Sequence, residues 1–256
     1  MYSSPPMQSV LALTRSSIGQ KVVVAVTGVI LLGFVTGHLL GNLIIFTGPE
    51  LYNAYGATIK GNLPLLWGAR ITLLASVLLH IFFTMKLASR NARTGGKYRR
   101  PHKDLKATLA SRTMIFTGPT IALFIVFHLA HLTAPGLDIG GTFSEHNVYA
   151  NAVQGFRTWW VAAIYIVANA MLGIHLFHGA WSALQSLGAQ HRNYDELRRR
   201  VAMGFAIFIA LGNVTIPLAV LSQQVGTDEQ LAESRALLAA HDDAGVVSPL
   251  STGEER

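Results

Sequence analysis

Residues 27–38 read TGVILLGFVTGH and residues 117–128 read TGPTIALFIVFH. Each is an apolar run opened by Thr-Gly, and each places a histidine ten residues after the glycine, at His38 and His128. An ionisable side chain inside such a run is costly in lipid and is functional by default. Working outward, a hydrocarbon core of about 30 Å needs roughly 20 mostly apolar residues per helix. Five segments qualify, near 22–46, 63–88, 113–133, 159–184 and 201–221. The period-two alternation of a membrane barrel is absent from them. The first run is too long for a signal-peptide core and lacks a small-x-small cleavage site, so it reads as retained. The expected fold is an all-α membrane protein: an N-terminal segment over 1–21, a five-helix domain over 22–222 and a polar tail over 223–256. That tail is acid-rich, reads as a short amphipathic helix or disorder, and carries no evident chemistry.

Composition agrees. Of 256 residues, 51% are apolar and 13% charged, about half the ~25% charge of soluble domains. The mean hydropathy is +0.40. A disordered chain is excluded, and an ordinary soluble one is disfavoured. There is no cysteine, so disulfides, zinc–thiolate sites and protein-held iron–sulfur clusters are excluded too. Ten histidines remain as metal ligands.

The net charge is +7, and its placement gives an orientation. Lys86, Arg90, Arg93, Lys97, Arg99, Arg100, Lys103, Lys106 and Arg112 lie between spans two and three. Arg192, Arg198, Arg199 and Arg200 lie between spans four and five, and Arg15 and Lys21 precede span one. The opposite side holds Lys60, Arg70, Arg157, Arg235 and Arg256. Fifteen against five places the N-terminus in the cytoplasm and the C-terminus outside. A topology signal accounts for most of the charge, and nucleic-acid binding is not expected.

Six histidines fall within spans: His38, His80, His128, His131, His175 and His178. The Thr-Gly stretches make spans one and three alike, and His80-Ile-Phe-Phe against His175-Leu-Phe-His loosely matches spans two and four. Spans one and two therefore read as a two-helix unit repeated in spans three and four. At ~1.5 Å per residue, His38 and His128 lie roughly 25 Å from the cytoplasmic ends of their spans, near the outer surface. His80 and His175, on spans running the other way, lie near the cytoplasm. The two pairs are separated by roughly 10–15 Å of depth. Two stacked bis-histidine pairs in a four-helix bundle are what two b-type haems require. Gly28, Gly33, Gly37 and Gly41 on span one and Gly173 and Gly179 beside His175 would let a flat macrocycle approach the backbone, although small residues also serve plain helix packing. His131 and His178 each follow a chosen ligand by three residues and could replace it. The Thr-Gly repeat selects His128 over His131, and the weaker match to His80 selects His175 over His178. The unused pair would be hydrogen-bonding neighbours.

In this order the motifs resemble the cytochrome b membrane-anchor subunit of succinate dehydrogenase and fumarate reductase, in its five-helix, two-haem form. The carriers are Ser16-Ser17-Ile18-Gly19, Gly37-His38-Leu39-Leu40-Gly41-Asn42, Ala110-Ser111-Arg112-Thr113, Phe127-His128-Leu129-Ala130-His131 and His175-Leu176-Phe177-His178-Gly179-Ala180-Trp181. The resemblance covers roughly 16–223, nearly all but the ends. The resemblance also favours His175, since the family's ligand histidine is followed four residues later by Gly and two more by an aromatic. It implies a bacterial cytoplasmic-membrane anchor for a flavoprotein and an iron–sulfur protein on the cytoplasmic face. Such a subunit exchanges electrons with a quinone, commonly menaquinone, and does not oxidise succinate alone. His131, His178, Arg112 and Ser17 become candidate haem or propionate neighbours. Glu50, Tyr52, Asn53 and Arg70, beyond His38, become the candidate quinone site, although Glu50 would equally suit a helix start and Arg70 a snorkelling role. Rival readings are the haem b anchor of another quinone-linked oxidoreductase and a haem-free transporter with histidine relays.

Overall fold

The computed structural model describes residues 16–95, 109–133, 143–188 and 192–243. Arg15, Lys97, Arg99, Arg100, His102, Lys103, Lys106 and Arg256 lie outside them, as do the side chains of Arg112 and Arg192. Among the described residues there are eight α-helices and no strand. They are α1 (Ser17–Asn42), α2 (Pro49–Gly61), α3 (Leu63–Gly95), α4 (Leu109–Leu132), α5 (Val148–Arg157), α6 (Trp159–Ser186), α7 (Asp195–Leu221) and α8 (Asp228–Asp243).

Local chemistry explains the helix starts. The Ser16 hydroxyl accepts the Gly19 N–H at 2.9 Å and caps α1. The Asn147 side chain accepts the Ala150 N–H and caps α5. At α8 the Gln230 N–H donates to Thr227 Oγ1 while the Thr227 N–H donates to Gln230 Oε1, a reciprocal capping box. α7 begins six residues before the expected apolar segment. Asp195 and Glu196 fill its first turn and pair with Arg198 and Arg200, a charged turn that hydropathy alone misses.

Five helices, α1, α3, α4, α6 and α7, are long and apolar enough to cross a membrane. Between 6% and 33% of each apolar stretch is buried inside the protein. Along α3, Leu65, Ile71, Leu74, Leu78, Phe82 and Met85 are all exposed. In water each such side chain would forgo about 1.5–3 kcal/mol of burial; lipid removes that cost. The fold is that of an all-helical protein consistent with several membrane crossings.

The chain forms two compact units. Unit one comprises Met1–His38, Pro64–Ile121 and Asn169–Leu211. Within it, a Cβ on Gly173 would lie 2.8 Å from Ala210 Cβ, so the missing side chain is what lets α6 approach α7. Unit two comprises Leu39–Leu63, Ala122–Ala168 and Gly212–Arg256. Its core gathers Ile45, Tyr149, Val153, Phe156, Val161 and Val220, and α2, α5 and α8 pack on one another within it. Gly226 joins α7 to α8 at φ +75°, with Val153 pressed against it. Both the left-handed backbone and the close contact demand glycine.

Candidate functional site

In unit one, the His80 and His175 rings stand 6.4 Å apart, centroid to centroid, at 60°. Each is held by a threonine from one of the two Thr-Gly stretches. Thr27 Oγ1 lies 3.2 Å from His80 Nδ1, and Thr117 Oγ1 lies 3.4 Å from His175 Nδ1. Both threonines are buried. The Thr27 hydroxyl proton is already given to the Val23 and Val24 carbonyls of its own helix, at 2.7 and 3.1 Å. Its oxygen can therefore only accept from His80, which puts the imidazole proton on Nδ1 and the lone pair on Nε2. That is the tautomer a metal ligand needs, set by a neighbouring hydrogen bond. Gly28 lies beside the same ring, where a Cβ would touch His80 Cε1 at 3.4 Å.

Among the described residues no three His, Asp or Glu side chains converge as a metal cage. Two imidazoles are what His80 and His175 offer, and a porphyrin supplies the other four ligands of an iron. His178 Nδ1 and Trp181 Nε1, three and six residues beyond His175 on α6, are buried without a hydrogen-bond partner. Two polar atoms left this way call for a ligand group.

In unit two, one phenol joins two histidines. The Tyr165 hydroxyl lies 3.1 Å from His128 Nδ1 and 3.0 Å from His131 Nδ1. Phe124, Phe127 and Phe156 enclose the ring. His131 is buried, with its Nε2 edge against α5 where a Cβ on Gly155 would fall 2.4 Å away. His128 is less enclosed and tilts against Phe124. Sequence reasoning missed Tyr165, although a hydroxyl in the middle of an apolar span is a signal. His38, in unit one, stacks on Phe34 at 5.3 Å. The glycines divide. A Cβ on Gly41 would collide with the Tyr55 ring, whereas Gly33, Gly37 and Gly179 have no neighbouring atom within 4 Å.

The four residues expected at a quinone are held differently. Asn53 donates to Asn147 Oδ1 and Ser234 Oγ, each at 3.3 Å, and accepts the Tyr149 N–H at 2.9 Å. Its amide is thus engaged in tying α2 to α5 and α8. The Tyr52 hydroxyl donates to Asn42 Oδ1 at 3.4 Å. Burial, then the neighbouring Tyr55, pushes the Tyr52 phenol up to about 12. Burial likewise raises Tyr149, so both stay neutral donors across the physiological range. Glu50 is exposed in the first turn of α2, where a negative charge suits the helix end. Arg70, in unit one, lies 5.2 Å over the Trp67 ring and is exposed. Ser17 is exposed at the start of α1.

No family model, curated protein or solved structure matches the chain. What fold and side chains define is an all-helical protein with five membrane-length apolar helices and histidines set inside them.

Proposed function

We propose that the chain is the membrane-anchor and electron-transfer subunit of a succinate:quinone oxidoreductase, holding two b haems between an iron–sulfur partner and a quinone such as menaquinone. The observation that carries the reading is the His80–His175 pair, 6.4 Å apart and each anchored through Nδ1 by a buried threonine. A bound haem iron supplies one-electron redox chemistry. His80 and His175 would hold one haem, with His178 and Trp181 as buried hydrogen-bonding neighbours. His38 and His128 would hold the second, and they enter by sequence spacing alone. Thr27 keeps the lone pair available on Nε2 of His80. For the quinone, Glu50 and Tyr52 remain the candidates, the Asn53 amide being already engaged.

The specific partner complex rests on the sequence resemblance. The basic stretch from Lys86 onward, on the side assigned to the cytoplasm, would steer an acidic soluble partner. A reduced-minus-oxidised optical spectrum of the purified protein tests the reading. Haem b bands at two haems per chain support it. A chain that takes up no haem overturns it and leaves the transporter reading.

A further inference from the structure

Two polar atoms on α6 serve no contact of the fold. His178 Nδ1 and Trp181 Nε1 are buried and, among the described residues, have no hydrogen-bond partner. A buried polar group left unpaired bears the full cost of its lost hydration, so each one in a folded protein calls for a reason. The two residues lie three apart on one helix, which sets their Cβ atoms about 5–6 Å from each other, and both belong to unit one. Gly179, one turn beyond His175, has no atom of the described residues within 4 Å of where a Cβ would stand, so that flank of α6 has room. The chemistry of the pair narrows the ligand. Trp181 Nε1–H only donates, and an imidazole donates from Nδ1 in one of its two neutral tautomers. One oxygen acceptor within reach satisfies both. Neither side chain is a fixed cation such as Lys or Arg. A carboxylate buried in an apolar span needs a paired charge, whereas a neutral carbonyl needs only hydrogen bonds.

We infer that His178 and Trp181 form a hydrogen-bonding subsite for a quinone carbonyl, a second quinone position apart from Glu50 and Tyr52. The inference rests on the proposed function, which supplies the quinone. Position supports it: His178 and Trp181 stand about 4.5 and 9 Å of helix rise beyond His175, toward the side assigned to the cytoplasm, so a quinone there lies beside the His80–His175 pair. The residues expected at a quinone beyond His38 are placed less well for one. The Asn53 amide is engaged, the Tyr52 hydroxyl already donates to Asn42, and Glu50 and Arg70 are exposed. On α6, by contrast, two buried hydrogen-bonding atoms stand ready on one flank.

The test is photolabelling of the full-length, detergent-purified chain with an azido-substituted 1,4-naphthoquinone, read by mass spectrometry of its peptides, with haem content followed in parallel. Label should appear on the α6 segment around Trp181, and unlabelled 2-methyl-1,4-naphthoquinone should compete it away where 2-methylnaphthalene, which lacks the carbonyls, does not. Trp181→Phe keeps an aromatic ring and removes the donor. Half-saturation of the α6 label should then need about 3–10-fold more probe, the loss of one hydrogen bond, while label on α2 and the haem spectrum stay unchanged. His178→Leu should act likewise, and His178→Asn, whose amide nitrogen stands in for Nδ1, should recover the wild-type value. Label confined to α2, or an α6 label indifferent to both Trp181→Phe and His178→Leu, overturns the inference and leaves the haem reading intact. Weakened haem binding in these variants with α6 labelling unchanged overturns it by giving the two atoms to the haem. A wild-type chain without haem defeats the underlying reading instead. If Trp181→Phe does not fold, the His178→Leu and His178→Asn pair decides alone.

Discussion

The two units handle polar side chains in opposite ways. In unit one the polar groups set in apolar helices include His80 with Thr27, His175 with Thr117, and buried Gln20 accepting from Arg90 at 3.3 Å. In unit two, apart from the Tyr165 cluster, they form a web around Asn147. Asn147 Oδ1 accepts from Ala150 N–H, Ser234 Oγ and Asn53 Nδ2, while Asn147 Nδ2 returns a bond to the Ser234 carbonyl. Tyr149 and Gln230 then tie the web to the Gly226 N–H, and Arg157 reaches the Gly226 carbonyl and Asp228. A polar group whose partners are other polar groups from three helices holds a fold together. A histidine set in an apolar helix and oriented through Nδ1 keeps its Nε2 for a ligand. The comparison thus sets a polar web that ties helices together against histidines placed inside apolar helices, and it is open to attack from both sides.

The largest effect is expected in unit one. His175→Ala should remove about half of the haem b absorbance, since one metal loses one of its two protein ligands. A full complement in that variant would end the claim that the pair is a ligand set. Next comes unit two. Asn147→Ala deletes the α5 cap and strands Ser234 and Asn53, which together cost about 2–4 kcal/mol. Limited proteolysis should then release the α8 segment while the haem spectrum stays unchanged. A spectral change there would blur the division between the units. The smallest effect is Thr27→Val, which preserves shape but removes the acceptor that sets the His80 tautomer. Haem affinity at that pair should fall about 10–100-fold, or roughly 1.4–2.7 kcal/mol, and Thr27→Ser should recover it. Equal affinity in the valine variant would make the contact incidental.

How much could be read in advance varied by element. The five apolar helices were plain from hydropathy, because twenty apolar residues in a row have few alternatives. Their ends were not, as the charged first turn of α7 shows. The helix over Val148–Arg157 went unpredicted, although Tyr149, Ala152, Val153 and Phe156 fall at helical spacing; ten residues beside a long span give a weak periodic signal. The capping box Thr227-Asp228-Glu229-Gln230 was legible as a motif and would have replaced the choice between helix and disorder in the tail with a helix start.

Within the site, sequence alone located the in-span histidines and the two Thr-Gly stretches, because composition and spacing along one chain carry that information. It could not say what the threonines do. That depends on a hydroxyl and an imidazole 53 residues apart meeting at 3.2 Å. Nor could it find Tyr165, which lies 37 and 34 residues from the histidines it joins. Asn53, a quinone candidate by position, meets Asn147 and Ser234 across 94 and 181 residues. One-dimensional pattern determined which residues are costly to place in lipid. Only the packing of distant segments decided which of those costs another side chain offsets, because a hydrogen bond depends on distance in space and is blind to separation along the chain.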